Sequence, residues 1–439
     1  MVTAVKQFSN KELRAMSILA THPAAQKLGL DDIEEATSDE STGVTGQFRD
    51  LALHSHFQPI ISLVHRRVVG HEGLVRPRTA TNQPIPPDVL FERVESIEEV
   101  VFLDRLARNI HVRNFVRQSE EQTWLFLNVN ARVAMSGAIH APYFAAMLAR
   151  YDLPPHRVVI ELIENEIADE GQLAEAMRYY VELGCLVAVD DFGAGQSNFD
   201  RIWRIQPQIV KIDRASLVHA RNNKRVRRVL PSLVSLLHEA GCMTLIEGIE
   251  NEDDVMISLD SGVDFVQGYY FGRPQSQLME KSTCAVPFGY LCNQHAQRQQ
   301  ASRQSGLSEL SPYIEACRHC GEMAAEKWDA AEASLRMLTM PNVLRCFLLD
   351  KNGRQLGSDI ALPSHAIQSD KRFLPVANGK EAVWSRRPYF QRALASPGQV
   401  QVSRPYLSIT DAKMCVTLSV LIRNAAGQEG VYCVDILHS

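Results

Sequence analysis

The chain has no run near the ~18 consecutive apolar residues that a bilayer span requires. It also lacks an N-terminal charged segment followed by an apolar stretch and a cleavage site. Neither a membrane span nor export is expected, and a cytoplasmic location follows. Charge of one sign is scarce too. A formal net charge of -5 is too mild for a broad grip on a nucleic acid polymer or an anionic membrane, but it allows a local pocket for a small anion. Cysteine is too thinly spread for a disulfide framework, since nine residues over 439 leave an odd thiol and read as reduced. Wholesale disorder is excluded by 45% hydrophobic against 22% charged residues.

The length suits two domains and an N-terminal arm. Residues 1–48 contain a helical stretch around Asn10 to Ala20 and then the acidic run Asp31 to Ser41, read as a flexible arm. Over 49–278 the pattern alternates short apolar strands with amphipathic helices. Phe57–Ile61 and Val68–Glu72 pair as a hairpin, and a helix spans about Phe102 to Arg117. Later helices stop at Gly184, Gly241 and Gly262. Such alternation predicts an α/β domain of the parallel, (β/α)8 barrel type, in which the site gathers at the strand ends. Residues 279–340 form a connector with a glutamine-rich tract, Gln294–Gln300, and a long helix over about Ser311–Met337. From 341 to 439 the signal is antiparallel: a strand Val343–Asp350, a turn at Asn352-Gly353, and three further strands. A small α+β domain fits.

The strand ends carry the chemistry. In order they are Glu72, Asn128, Glu161, Asp190-Asp191, Lys211, Glu247 and Gln267. Loop polarity alone accounts poorly for that succession of acids, amides and a lysine. Five carboxylates converging on one face repel one another unless cations intervene, and an all-oxygen set suits Mg²⁺ or Mn²⁺ rather than Zn²⁺. Neighbouring side chains on a strand point to opposite faces, so Asp190 and Asp191 both reach the site only if the chain already turns there. Phe192-Gly193-Ala194-Gly195 permits that turn. With two ions, Asp190 would bridge, and Lys211 would orient a water for in-line attack on a phosphodiester.

Glu72-Gly73-Leu74-Val75-Arg76, Asn128-Val129-Asn130, Glu161-Leu162-Ile163-Glu164, Asp190-Asp191-Phe192-Gly193, Lys211-Ile212-Asp213, Glu247-Gly248-Ile249-Glu250 and Gln267-Gly268-Tyr269 occur in that order. Together they resemble the signature of EAL-domain cyclic di-GMP phosphodiesterases over about residues 50–278. The resemblance implies a modified (β/α)8 barrel that hydrolyses cyclic di-GMP to linear pGpG with two Mg²⁺ or Mn²⁺ ions. It makes Glu72, Asn128, Glu161, Asp190, Asp191 and Glu247 metal ligands, with Lys211, Glu72, Asp190 and Glu247 as the catalytic set. Gln58 and Arg76 would hold guanine and phosphate, Gln267 would contact water or substrate, and Glu164 would anchor the loop after Asp191 near a homodimer interface. Gly73 stands where the family usually has alanine, Ile163 where it has threonine, Ala131 where a proline often follows, and Gln196 where it has an aromatic residue. No ligand is lost, so turnover is expected. A cyclic di-GMP receptor that binds with weak turnover or none is the alternative.

Outside the barrel, Cys317-Arg318-His319-Cys320 and Cys292 with His295 offer a four-ligand set for zinc, although their helical, polar surroundings favour unpaired thiols. Trp384 to Phe390, Ser403 to Tyr406 and Val434-Asp435-Ile436 resemble PAS-like Cache sensor domains. That resemblance implies a small-molecule pocket with Arg387, Tyr389, Tyr406 and Asp435 as its candidates.

Overall fold

The computed structural model describes residues 29–438 apart from 120–122, 131–132, 134–140, 163–169, 194–198, 281–284, 363–378 and 411–412. The expected helix around Asn10 to Ala20 lies outside the described residues. The chain divides into two compact units, Met1–Gln297 and Arg298–Ser439.

The first unit is a closed barrel. Its strands are β1 (Thr37–Glu40), β2 (Gly43–Phe48), β3 (Leu51–Ser62), β4 (Arg67–Thr79), β5 (Trp124–Val129), β6 (Val158–Leu162), β7 (Leu186–Phe192), β8 (Ile209–Ile212), β9 (Met243–Ile246) and β10 (Phe265–Gln267). The ring runs β3-β10-β9-β8-β7-β6-β5-β4 and closes by pairing β4 with β3. From β4 to β10 the neighbours are parallel, while β3 is antiparallel to both β4 and β10. The expected hairpin is thus the reversed strand that modifies the barrel.

Strand alternation sorts the side chains. Ile60, Phe126, Val159, Ala188, Ile209, Leu245 and Phe265 form a separate apolar cluster, one residue from each of seven strands, and plug the interior. The eighth strand offers Gly70, where a Cβ would lie 2.8 Å from the Phe126 ring, so the glycine leaves that space to the phenyl group. The alternate residues, such as Leu125, Leu127 and Ile160, face outward onto Leu103, Leu106 and Ile110 of the helix Ile97–Gln118. Two positions beyond each plug, the inward face carries Glu72, Asn128, Glu161, Asp190, Lys211, Glu247 and Gln267. In the reversed β3, Gln58 holds the equivalent place before Ile60.

The acidic stretch from Asp31 is structured, which corrects its reading as part of a flexible arm. A helix, Leu30–Glu35, leads into β1 and β2, and β2 extends the sheet beside β3. Ile33, Val44 and Phe48 enter the core, and Asn114 holds Val44 by two hydrogen bonds, 2.8 Å from its N–H and 2.7 Å to its carbonyl. The polar composition is matched by partners: Asp39 pairs with Arg113 and Arg117.

The connecting helix spans Ala285–Lys327 and includes the glutamine-rich tract, so it begins earlier and ends sooner than the expected Ser311–Met337. In the second unit a sheet runs in the order β12-β11-β16-β15-β13, with β14 also on β15. These strands are β11 (Val343–Asp350), β12 (Gln355–Ile360), β13 (Gln401–Val402), β14 (Tyr406–Leu407), β15 (Met414–Arg423) and β16 (Glu429–Leu437), all antiparallel. Ala316, Cys317, Cys320 and Ala324 pack with Cys346, Leu348, Leu418 and Val434 in one core cluster. Phe347, Trp384, Tyr389 and Phe390 form another. Among the described residues Cys317, Cys320, Cys292 and His295 do not gather as metal ligands. Burial pushes the Cys317 and Cys320 thiols up, away from the thiolate that zinc needs, and His295 pairs with Asp260 at 3.0 Å.

Candidate functional site

The strand-end residues converge on one ammonium. Nζ of Lys211 lies 3.0 Å from Glu161, 3.3 Å from Asp190, 2.5 Å from Glu247 and 4.0 Å from Glu72. Glu72 in turn accepts from Asn128 Nδ2 at 2.8 Å and from Gln267 Nε2 at 2.6 Å, and Gln267 also donates to Gln58 Oε1 at 3.3 Å. Lys211 is 1% exposed and Glu161 0%. Both Glu161 oxygens are buried, and the Lys211 ammonium is the cation that reaches them.

These contacts set the protonation. Burial works to lower the Lys211 pKa, yet Asp190, Glu161, Glu247 and Glu72 hold it well above the usual lysine range. Burial raises Glu161 well above an ordinary carboxyl, opposed by Lys211. It takes Glu247 up to about 7. Burial acts on Glu72 as well, but Lys211 and the hydrogen bonds from Gln267 and Asn128 outweigh it and hold that group low.

The turn required at the aspartate pair is present. Pairing of β7 with β8 slips between Val189 and Phe192, a bulge that contains both aspartates. Asp191 sits at φ +54°, and its N–H is 2.9 Å from Oδ1 of Asp190. As a result, carboxylate oxygens of Asp190, Asp191 and Glu247 all lie within 4.8 Å of one another. The loops after β9 and β10 lock together behind Glu247. The N–H of Ile249 donates to Gln267 O at 3.1 Å and Tyr270 N–H to Ile249 O at 2.9 Å. A Cβ on Gly268 would meet the Ile249 carbonyl oxygen at 2.1 Å, so only glycine fits that crossing.

Beside this cluster opens a cavity of about 680 Å³ lined by Glu72, Gly73, Arg76, Asn128, Asp190 and His111, among others. That volume suits a ligand of dinucleotide size.

The model of the EAL domain matches residues 45–274, more than half of the chain. The chain belongs to the EAL domain family. Over 227 residues it is 27% identical to the cyclic di-GMP phosphodiesterase RocR of Pseudomonas aeruginosa, a match covering 51% of this chain and 57% of that protein. It is 24% identical over 355 residues to the EAL-domain containing protein YkuI of Bacillus subtilis, covering 76% of this chain and 82% of YkuI. A relative from Azorhizobium caulinodans is 30% identical over 267 residues but is matched over 35% of its length. The chain thus spans a third to somewhat more than half of two of these relatives. The crystal structure of YkuI in complex with cyclic di-GMP and calcium superposes with a TM-score of 0.72 at 22% identity, over 88% of this chain and 96% of that one. That likeness extends the shared fold beyond the EAL barrel.

Within the EAL barrel every expected ligand position that is described lies at the cluster, and Arg76 lies in the cavity wall. Glu164, Ile163, Ala131 and Gln196 lie outside the described residues. Three cavity-wall residues escaped the strand-end reading because they sit on the outer helix: Asp104, Arg108 and His111. Polar residues recurring at helical spacing on an otherwise apolar face were the available signal.

The four residues singled out near the C-terminus also come together. The rings of Tyr389 and Tyr406 stack 6.2 Å apart, and the Arg387 guanidinium lies 5.6 Å from the Tyr406 centroid. The Tyr406 hydroxyl meets Thr417 Oγ1 at 2.7 Å, and Thr417 donates to Asp435 Oδ1 at 2.7 Å. Asp435 further accepts from Arg345 at 2.8 Å. Arg345, a charge inside the apolar run Val343–Leu349, was the overlooked partner. Among the described residues no helix is long and apolar enough to cross a membrane.

Proposed function

We propose that the barrel hydrolyses cyclic di-GMP to linear pGpG with the help of two divalent ions, Mg²⁺ or Mn²⁺. The observation that carries this reading is the charge surplus at the strand ends. Four carboxylates, Glu72, Glu161, Asp190 and Glu247, face one ammonium, Lys211, and a fifth, Asp191, gathers with Asp190 and Glu247. Fully ionised, five negative charges against one positive leave four, which two divalent cations match. The donors are oxygens, as hard cations prefer, and the buried Glu161 carboxylate has only the shared Lys211 ammonium as an ion-pair partner among the described residues. Glu72, Asn128, Glu161, Asp190, Asp191 and Glu247 would hold the ions. When bound, such ions supply Lewis-acid charge at the phosphate and make a water nucleophilic near neutral pH.

The remaining steps belong to the chain. Lys211 stays protonated among its carboxylates, so it orients the attacking water as a hydrogen-bond donor and offsets charge on the phosphorane rather than acting as a base. Arg76, in the cavity wall, pairs with phosphate, and Gln58 with guanine. Attack forms one bond from water oxygen to phosphorus as one P–O3′ ester bond breaks and a proton of the water ends on O3′, giving the linear dinucleotide. Glu72, Asp190 and Glu247 fix the geometry of that attack, and Gln267 keeps Glu72 in place. Glu164 anchors the loop after Asp191. The names of RocR and other relatives support the substrate class.

Incubation of purified protein with cyclic di-GMP and Mg²⁺ or Mn²⁺ tests the reading. Linear product is expected, and its absence with both ions overturns turnover. Ile163 and Gln196 favour a second reading, a cyclic di-GMP receptor. Binding by calorimetry without product would support that reading.

Two further parts complete the proposal. The second unit is a PAS-like sensor, with Arg387, Tyr389, Tyr406 and Asp435 at a small-molecule pocket, and its ligand sets barrel activity in the cytoplasm. The protein is a homodimer, a reading supported by Trp203 at 66% exposure and by Val229 and Leu236 exposed on the helix Lys224–Glu239. Light scattering of the purified chain at the monomer mass would overturn the dimer.

A further inference from the structure

His111 is 4% exposed, yet its ring lines the cavity beside Glu72, Gly73 and Arg76. Nδ1 lies 2.8 Å from Ser55 Oγ, and the edge of the ring meets Phe57 with centroids 6.4 Å apart. Ser55 is itself buried, and among the described residues its hydroxyl has no other hydrogen-bond partner. A buried hydroxyl hydrogen goes to an acceptor where one is available, and here that acceptor is Nδ1. With Ser55 as the donor, Nε2 carries the imidazole proton, and no described residue accepts it. Nε2 is also absent from the fully enclosed polar atoms that lack a partner. A donor fixed at one end and unpaired at the other stands at the cavity surface.

Gly73 gives the ring room. A methyl group there would lie 3.0 Å from Cγ and 3.2 Å from Cβ and Cδ2 of His111, so an alanine would make the imidazole give way by a few tenths of an ångström.

We infer that His111 donates a hydrogen bond from Nε2 to an acceptor on the cyclic dinucleotide, and that Gly73 is the space that holds it there. The inference rests on the cavity being the cyclic di-GMP site. The acceptor is a phosphate oxygen beside Arg76 or a guanine O6, both presented by that ligand.

The test is calorimetry of the full chain with cyclic di-GMP in Ca²⁺, product being checked by chromatography, together with steady-state kinetics in Mg²⁺. The decisive variant is H111A/G73A, which removes the donor and returns a methyl to the vacated space. Thermal melting confirms that it folds. Loss of one hydrogen bond predicts affinity weaker by about tenfold, with KM raised and kcat held near wild type. The single H111A should show the same loss, and G73A a smaller one from the displaced ring. An H111A/G73A protein that binds within about twofold of wild type overturns the inference alone. Wild-type protein that binds no cyclic di-GMP overturns the reading of the cavity, and the role of His111 with it. Repeating the titrations with cyclic di-AMP, which has the phosphates but no O6, separates the two acceptors. An equal loss points to phosphate, and a loss confined to cyclic di-GMP points to guanine.

Discussion

Nζ of Lys211 sits 3.0 Å from Oε1 of Glu161, and neither side chain is more than 1% exposed. An ion pair so deeply buried is costly to break from one side, because the abandoned charge stays in a poorly solvated place. Lys211 also meets Glu247, Asp190 and Glu72, so its removal strands several carboxylates at once.

Lys211→Met should therefore lower the stability of the metal-free protein by about 3–5 kcal/mol in urea denaturation, or by less where the stranded carboxylates take up protons. Hydrolysis of cyclic di-GMP should fall by at least about 100-fold. Added Mg²⁺ should restore much of the stability and little of the rate. A variant as stable as wild type in the chelated state would refute the role of Lys211 as counter-charge.

Protonation of the cluster predicts how metal binding varies with pH. Burial takes Glu247 from an ordinary 4.5 up to about 7, and Glu161 is raised as well. Between those limits the unfolded chain gives up its proton first. The stabilising contribution of Glu247 is thus full below about pH 4.5 and is lost as pH rises through about 7; Glu161, raised by burial, acts in the same sense, while Glu72, held low, acts oppositely only in more acid solution. Chelated protein should accordingly melt lower at about pH 8 than at about pH 5.5 as far as this site governs it. Cations must displace the Glu247 proton below its pKa, so Mn²⁺ binding should release more protons at about pH 6 than at about pH 8. Calorimetry in buffers of different ionisation enthalpy reads that number directly.

Much of the site was legible because each functional residue follows an interior plug by two positions: Phe126 then Asn128, Val159 then Glu161, Ile209 then Lys211. A period of two in a buried strand places both on one face, whatever the rest of the fold does. The hairpin β1–β2 was illegible for the opposite reason. Its acidic residues resemble a solvated arm until Arg113, Arg117 and Asn114 of a distant helix are brought beside them. The start of the connecting helix was missed in the same way, since polar composition in Gln294–Gln300 carries no apolar stripe to mark a helix. His111 belongs to this class, for its meaning depends on the missing methyl of Gly73.

The crossing of two loops at Gly268 gives a steric prediction. A Cβ there would approach Ile249 O to 2.1 Å and Ile249 N to 2.3 Å, and backbone cannot swing aside as a side chain can. Gly268→Ala should destabilise by about 2–4 kcal/mol and shift Glu247, two residues before Ile249. Weaker Mn²⁺ binding alongside the lowered melting temperature would support the coupling. Unchanged metal affinity in a folded variant would show that the loop positions nothing at the site.

Asp191 separates conformation from charge. Its φ of +54° lies in the left-handed region, where a β-carbon is strained and where aspartate and asparagine are the most tolerant side chains. The conformation is needed because it lets consecutive carboxylates face one centre across the bulge between Val189 and Phe192. Asp191→Asn keeps the backbone preference and removes the charge, so the chelated protein should melt at or slightly above wild type while hydrolysis drops by at least about 100-fold. Asp191→Ala removes the charge and the local preference together, and should cost about 1 kcal/mol more than the asparagine variant at the same loss of rate. Asp191→Gly should recover that difference without recovering activity. If alanine and asparagine variants are equally stable, the left-handed turn is held by its surroundings and not by the side chain. If asparagine keeps the wild-type rate, Asp191 is not a metal ligand and the cluster has lost one of the five charges on which the two-ion reading rests.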